Sequence, residues 1–223
     1  MQTVEKDELV VLYGTQTNTA KAAAEELGRE AVKRRLAPRV MSFDEFPILK
    51  LPVTRLAVFI IATTGDGEAP QTMLNAWKFL LRSDLPPGSL KQLKFSVFGL
   101  GDSSYALFNA MAKKLTQRLL DLGAQLFHKV GLGDYQHDFG YEGEFDPWLS
   151  QLWPNLKLQL PPVSQMVLDP PNENELSVLP PLYRVEVLPS LQAESLITSL
   201  SNIQSPLGAK NEQGVRLARV TAN

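Results

Sequence analysis

Residues 56–62 read LAVFIIA, a run without a polar side chain. A strand exposed on one face would alternate apolar and polar residues. One that is apolar throughout belongs inside a parallel sheet with helices on both faces. Four other short apolar or β-branched runs, at 9–13, 39–42, 95–98 and 126–130, alternate with helical patterns. Residues 19–35 place Ala20, Ala23, Ala24, Leu27 and Ala31 on one stripe, then close with Lys33, Arg34 and Arg35, which suit the negative end of a helix. Residues 73–82 carry Leu74, Trp77 and Leu81 at helical spacing, and 107–122 carry Met111, Leu115 and Leu119 before Gly123, a residue suited to a helix stop. A last helix is expected over 144–153, ending at Pro154. The order predicts the α/β class: a doubly wound, five-stranded parallel sheet of strand order 2-1-3-4-5.

After Pro154 the texture changes. Residues 161–181 hold PPV, DPPNENE and LPP, the composition of an extended linker. YRVEVL then reads as a strand, and the chain closes on VRLARVTAN with no turn or cap. The expected organisation is a first domain over 1–157, a Pro-rich linker over 158–181, and over 182–223 the truncated, β-rich start of a second domain. That last part has no core of its own, so disorder or packing on a foreign surface is expected of it.

The chain has 223 residues and no cysteine, which removes disulfides, Cys-ligated iron–sulfur clusters, thiolate zinc sites and cysteine nucleophiles together. Its two histidines, His128 and His137, make a His-based metal centre a poor expectation, and His137 reads as a surface residue with no catalytic role. Redox chemistry here would need an organic cofactor. A net charge of −2 gives no case for nucleic-acid binding. No apolar run approaches the roughly 20 residues of a membrane span. The N-terminal MQTVEKDELVVLYG resembles neither a signal peptide nor a transit sequence, so a cytoplasmic location is the default.

In an open α/β sheet, ligands bind beyond the C-terminal ends of the strands. After the first strand come Gly14, Thr15, Gln16, Thr17, Asn18 and Thr19 at the start of a helix: hydroxyls and backbone N–H groups that can face one anion. No Lys follows a glycine, as a nucleotide-triphosphate loop requires, and there is no G-x-G-x-x-G for a dinucleotide. A monophosphate is indicated, with a Thr-rich helix cap as the plain alternative. After the third strand, Thr63, Thr64, Gly65, Asp66, Gly67 and Glu68 form either a backbone wall for a flat ligand or an ordinary glycine turn. After the fourth come Gly99, Leu100, Gly101, Asp102 and then Tyr105, an aromatic able to stack on a ring or on its own loop. Phe108 and Trp77 read as core. After the fifth, residues 131–148 hold five acids and no Lys or Arg. With Asp66, Glu68 and Asp102 they form an acidic rim, either simply solvated or steering a basic partner.

YGTQTNTA, TTGDGEAP, GLGDSSYALFNAMAKKL and GLGDYQHDFGYEGEFDPW, in this order and spacing, resemble the FMN domain of the diflavin reductases. Within that family they look most like the cytosolic NADPH-dependent branch that serves iron–sulfur protein assembly. The resemblance covers residues 8 to about 157 and implies a flavodoxin-like fold, while the tail is similar to the start of an FAD-binding module. It implies that Thr15, Gln16, Thr17, Asn18 and Thr19 hold the FMN phosphate. Thr63, Thr64 and Gly65 would line the flavin ring, and Gly99, Leu100, Gly101, Asp102, Tyr105, Phe108 and Asn109 would form its second wall, with Tyr105 stacking. Asp134 would complete the site. No catalytic side chain and no metal are implied. Electrons would pass from NADPH through FAD and FMN to an iron–sulfur or haem acceptor protein at the acidic rim, and this chain alone should not oxidise NADPH. Two departures stand out: Asn18 replaces the usual Gly, and Thr64 replaces the second stacking Tyr of the microsomal cytochrome reductases.

Three other readings remain. An FMN-dependent quinone reductase of the same fold would need a substrate pocket over the flavin, and the Pro-rich linker argues against it. A phosphorylation-controlled receiver domain would need acids where this chain has Gly14-Thr15-Gln16 and Ala62-Thr63. A truncated product that serves only for docking is the third.

Overall fold

The computed structural model of the chain describes residues 9–160. The chain divides into two compact units, Met1–Val178 and Leu179–Asn223. The expected linker and second-domain start, and the state of residues 161–223, lie outside the described residues.

The elements run β1 (Leu9–Gly14), α1 (Thr19–Lys33), β2 (Pro38–Ser42), a 3₁₀ turn (Ile48–Val53), β3 (Leu56–Ala62), a second 3₁₀ turn (Gln71–Met73), α2 (Leu74–Leu80), β4 (Lys94–Gly101), α3 (Ala110–Asp121), β5 (Gln125–Leu126), β6 (Gly131–Asp134) and α4 (Glu142–Lys157). All strand pairings are parallel, in the order β2-β1-β3-β4-β5, and β6 also pairs with β4. β3 lies between β1 and β4, which explains its apolar run. Leu56, Val58 and Ile60 face the layer that contains α1 and α4, while Ala57, Phe59 and Ile61 face the layer of α2 and α3.

The fifth strand departs from the expected 126–130. It is two short pieces, and the segment expected to begin a loop at Gly131 is strand. His128 turns inward to 4% exposure against Trp148, and the Trp148 indole N–H donates to the Lys129 carbonyl at 2.8 Å. At His128 and Lys129 the pairing with β4 is interrupted. The strand resumes at Gly131, where any Cβ would run into the Phe98 ring and Trp148. Phe98, Phe145 and Trp148 pack there with ring centroids 5.0–6.0 Å apart.

The helix boundaries also shift. α4 continues through Pro147 and Pro154, because Phe145, Trp148, Leu149, Leu152, Trp153 and Leu156 are buried at helical spacing. That burial outweighs the hydrogen bond each proline omits. α3 starts at Ala110 rather than 107, since Asn109 takes left-handed angles (φ 52) at its N-cap. It ends as expected, with Gly123 at φ 90 and the Ala124 N–H on the Leu119 carbonyl. The expected helix 73–82 is the second 3₁₀ turn followed by α2. Trp77 packs partly buried against the core, as read from sequence. No helix among the described residues is long and apolar enough to cross a membrane.

Candidate functional site

The four loops predicted to carry the chemistry lie at the C-terminal end of the sheet and are tied to one another. The Thr15 N–H donates to Thr72 Oγ1 at 2.8 Å, and the same hydroxyl donates back to the Thr15 carbonyl at 3.1 Å. Gln16 Oε1 accepts from the Gln71 N–H at 3.2 Å. Both residues are thereby held against the start of the 3₁₀ turn. Asn18 adopts φ 69, and its carbonyl accepts the first helical bond, from the Ala22 N–H at 2.9 Å. The N–H groups of α1's first turn have no partner within the helix. Thr17 and Thr19 are exposed, with hydroxyls 3.4 Å apart. Thr15 Oγ1 is buried and has no hydrogen-bond partner.

Residues 64–68 form a small antiparallel hairpin. Thr64 and Glu68 exchange backbone bonds at 2.8 and 3.2 Å, and Gly65 and Gly67 sit at φ 46 and 76. The Thr64 hydroxyl is taken up by the Glu68 carbonyl, and Lys114 Nζ holds the Gly67 carbonyl at 2.8 Å. Thr63 Oγ1 accepts from the Met111 N–H at 3.3 Å, which caps α3 from outside while Asn109 makes no side-chain cap bond.

Asp102 and Asp134 tie together the third and fourth loops. Asp134 Oδ1 accepts from the N–H groups of Ser103 and Gln136 at 2.9 and 3.0 Å. Asp102 Oδ1 accepts from the Ser104 hydroxyl and N–H and from Gln136 Nε2. Hydrogen bonding, led by the Ser104 side chain for Asp102 and by the Ser103 side chain for Asp134, holds both carboxyls below the usual aspartate range. The structure thus keeps both acids ionised at the mouth of the site.

Not every predicted residue reaches the opening. Leu100 is core, and Gly99 and Gly101 make room for Asn109, which is fully buried with its amide on the Gly133 carbonyl at 3.0 Å. These four shape the floor. Phe108 is half-buried beneath Lys113. Tyr105 is 67% exposed, and so are two aromatics to which the sequence reading gave no role, Tyr135 and Phe139, at 74% and 76%. Sequence reasoning also missed Thr72, which carries no motif and acts only through its contact with Thr15. Asp66, Glu68, Asp138, Glu142, Glu144 and Asp146 are exposed, and none forms a salt bridge among the described residues. Burial and the neighbouring carboxylates push Tyr141 up to about 12.

A doubly wound sheet of this order, with an anion-ready loop after β1 and glycine-bearing loops after β3 and β4, defines a flavodoxin-type domain. The chain belongs to that family: the Flavodoxin profile matches residues 11–148. More particularly, it is 43% identical over 202 residues to NADPH-dependent diflavin oxidoreductase 1 of Mus musculus and 45% identical over 202 residues to that of Danio rerio, in each case over 89% of this chain. The chain spans 33% of the length of each of these curated relatives. In fold it is similar to the flavodoxin of Streptococcus pneumonia TIGR4, with a TM-score of 0.58 at 19% identity over 69% of this chain and 99% of that one.

Proposed function

We propose that this chain is the FMN-binding, electron-carrying module of an NADPH-dependent diflavin oxidoreductase. The observation that carries the reading is Thr15 Oγ1, a buried hydroxyl without a partner, at a helix N-terminus where Asn18 holds the left-handed turn. A buried polar group without a partner costs about 1–3 kcal/mol, and a phosphate oxygen would satisfy it.

The residues present fit the group. Thr15, Thr17, Thr19 and the N–H groups of the first turn would hold the phosphate, with Gln16 and Asn18 fixing the loop. Thr63, Thr64 and Gly65 would stand on one side of the ring, and Tyr105 and Phe108 on the other, over the floor of Gly99, Leu100, Gly101 and Asn109. Asp102 and Asp134 would fix the loop edges. Bound FMN supplies the redox chemistry, taking up electrons and releasing them one at a time. The protein binds and orients it, and the ionised rim disfavours added negative charge at the ring.

By this reading the full-length protein takes electrons from NADPH through FAD, and the acidic rim meets an iron–sulfur or haem acceptor protein in cytoplasmic iron–sulfur assembly. The similarity to the diflavin oxidoreductases supports the first part, and the unpaired acids support an acceptor with a basic face. The experiment is FMN addition, desalting and an absorbance spectrum of the purified chain. A retained flavin spectrum, with no NADPH oxidation by the chain alone, is the expected result. Loss of all flavin on desalting would reject the module as an FMN carrier.

A further inference from the structure

At the other end of the sheet, where the parallel strands begin, lies a cavity of about 990 Å³ that includes Val10, Pro38, Leu56, Lys94 and Gln125 in its wall. Arg39, Lys50, Arg55 and Lys91 add to Lys94, and among the described residues no carboxylate lines it. Among the described residues no acid pairs with Lys50 or Lys91. The wall is also partly apolar, and its Val53 is 69% exposed. An acceptor protein at the acidic rim would not use this end of the domain.

We propose that this cavity is a docking site for the chain's own acidic, Pro-rich segment, residues 163–178. Leu160, the last described residue, is part of the cavity wall. Beyond it, residues 161–183 carry Asp169, Glu173 and Glu175 and no Lys or Arg, with the apolar Met166, Val167 and Leu168 just before the first acid. The pattern matches a wall that is basic and apolar. Asp169 lies nine residues past Leu160. At about 3.1 Å per residue for Pro-rich chain, that is roughly 28 Å of reach, ample to turn back across a cavity of this size. Tethering also places the segment at an effective concentration of about millimolar, which a free acidic partner must exceed.

The test is zero-length carbodiimide cross-linking of the full 223-residue chain, which joins lysines to carboxylates in direct contact, read by mass spectrometry on a mixture of ¹⁵N-labelled and unlabelled chain. The Lys21–Glu25 pair, 3.9 Å apart, is the internal control. The expected products link Lys50, Lys91 or Lys94 to Asp169, Glu173 or Glu175 within one chain. Their yield should fall about tenfold when the Debye length shrinks from about 30 Å at 0.01 M salt to about 3 Å at 1 M. In the K50E/K91E variant, whose changes are at exposed residues, the remaining Lys94 products should fall likewise. Links running to Glu5, Asp7 or Glu8 would assign the cavity to the N-terminal segment instead. Links between labelled and unlabelled chains would assign it to a second copy. Either result, or a cross-linked control with no cavity products, overturns the proposal. None of the readouts involves flavin.

Discussion

Asp134, the last residue of β6, and Ser103, on the loop after neighbouring β4, are joined by a hydrogen bond of 2.9 Å from the Ser103 N–H to the carboxylate. Hydrogen bonding from the Ser103 side chain, then from the Gln136 and Ser103 N–H groups, favours the ionised carboxyl, so the folded value lies below that of the unfolded chain. Its contribution is complete above the usual aspartate range, near pH 4, and disappears as pH falls through the lower, folded value. Protection of the Ser103 and Gln136 amides, measured against the intrinsic exchange rate at each pH, should therefore fall on acidification below about pH 4, at a point where the core is still protected. In Asp134→Asn the acid-induced step should vanish. An unchanged step in that variant would place the titration elsewhere.

Thr15→Val keeps the shape of the side chain and removes its unpartnered hydroxyl. The flavin-free chain should gain up to about 1 kcal/mol in denaturant melts, while FMN affinity falls about tenfold or more. Opposite signs in the two measurements distinguish a phosphate ligand from a merely structural threonine, which would lower both.

Asn18 occupies φ 69, a region in which β-branched residues are strained. Asn18→Gly should leave the melting temperature nearly unchanged and hold FMN at least as tightly. Asn18→Val should cost about 1–2 kcal/mol and weaken FMN with it. Calorimetry and a flavin titration on the same samples check both.

Tyr105 is 67% exposed, so truncating it removes little folded-state packing. Tyr105→Ala should change stability by less than about 0.5 kcal/mol. FMN should bind about fivefold more weakly, the loss of one stacking contact of about 1 kcal/mol. Thr64→Tyr should act in the opposite direction, by adding an aromatic at the facing loop. Fluorescence quenching on FMN titration measures each.

Gly131→Ala drives a methyl into the Phe98 ring and Trp148. A loss of about 1–3 kcal/mol is expected, along with a shifted tryptophan emission.

These loops were readable in sequence because each follows an apolar run and contains residues with restricted uses. The all-apolar β3 established a two-sided sheet, Gly123 marked the end of α3, and Asn18, noted as standing in place of the usual Gly, adopts left-handed angles. The split fifth strand was not readable. It coincides with a contact between Trp148 and the Lys129 carbonyl, 19 residues apart, and the GLGD that resumes pairing has the composition of a turn. Likewise Pro154 carries a local stop signal that the buried face of α4 overrides. Thr72 and Gln136 act only through partners that folding brings to them.

The captured Lys129 carbonyl has a consequence for how the molecule meets its own copies. β5 and β6 form one outer margin of the sheet, with two and four residues on either side of the break. A strand from another molecule would find no longer row of backbone groups to pair with there, and the inward turn at His128 interrupts even that. An unbroken margin would invite edge-to-edge aggregation. The break beside the Trp148 indole therefore leaves this margin a poor template for such pairing, while the same ring fills the core.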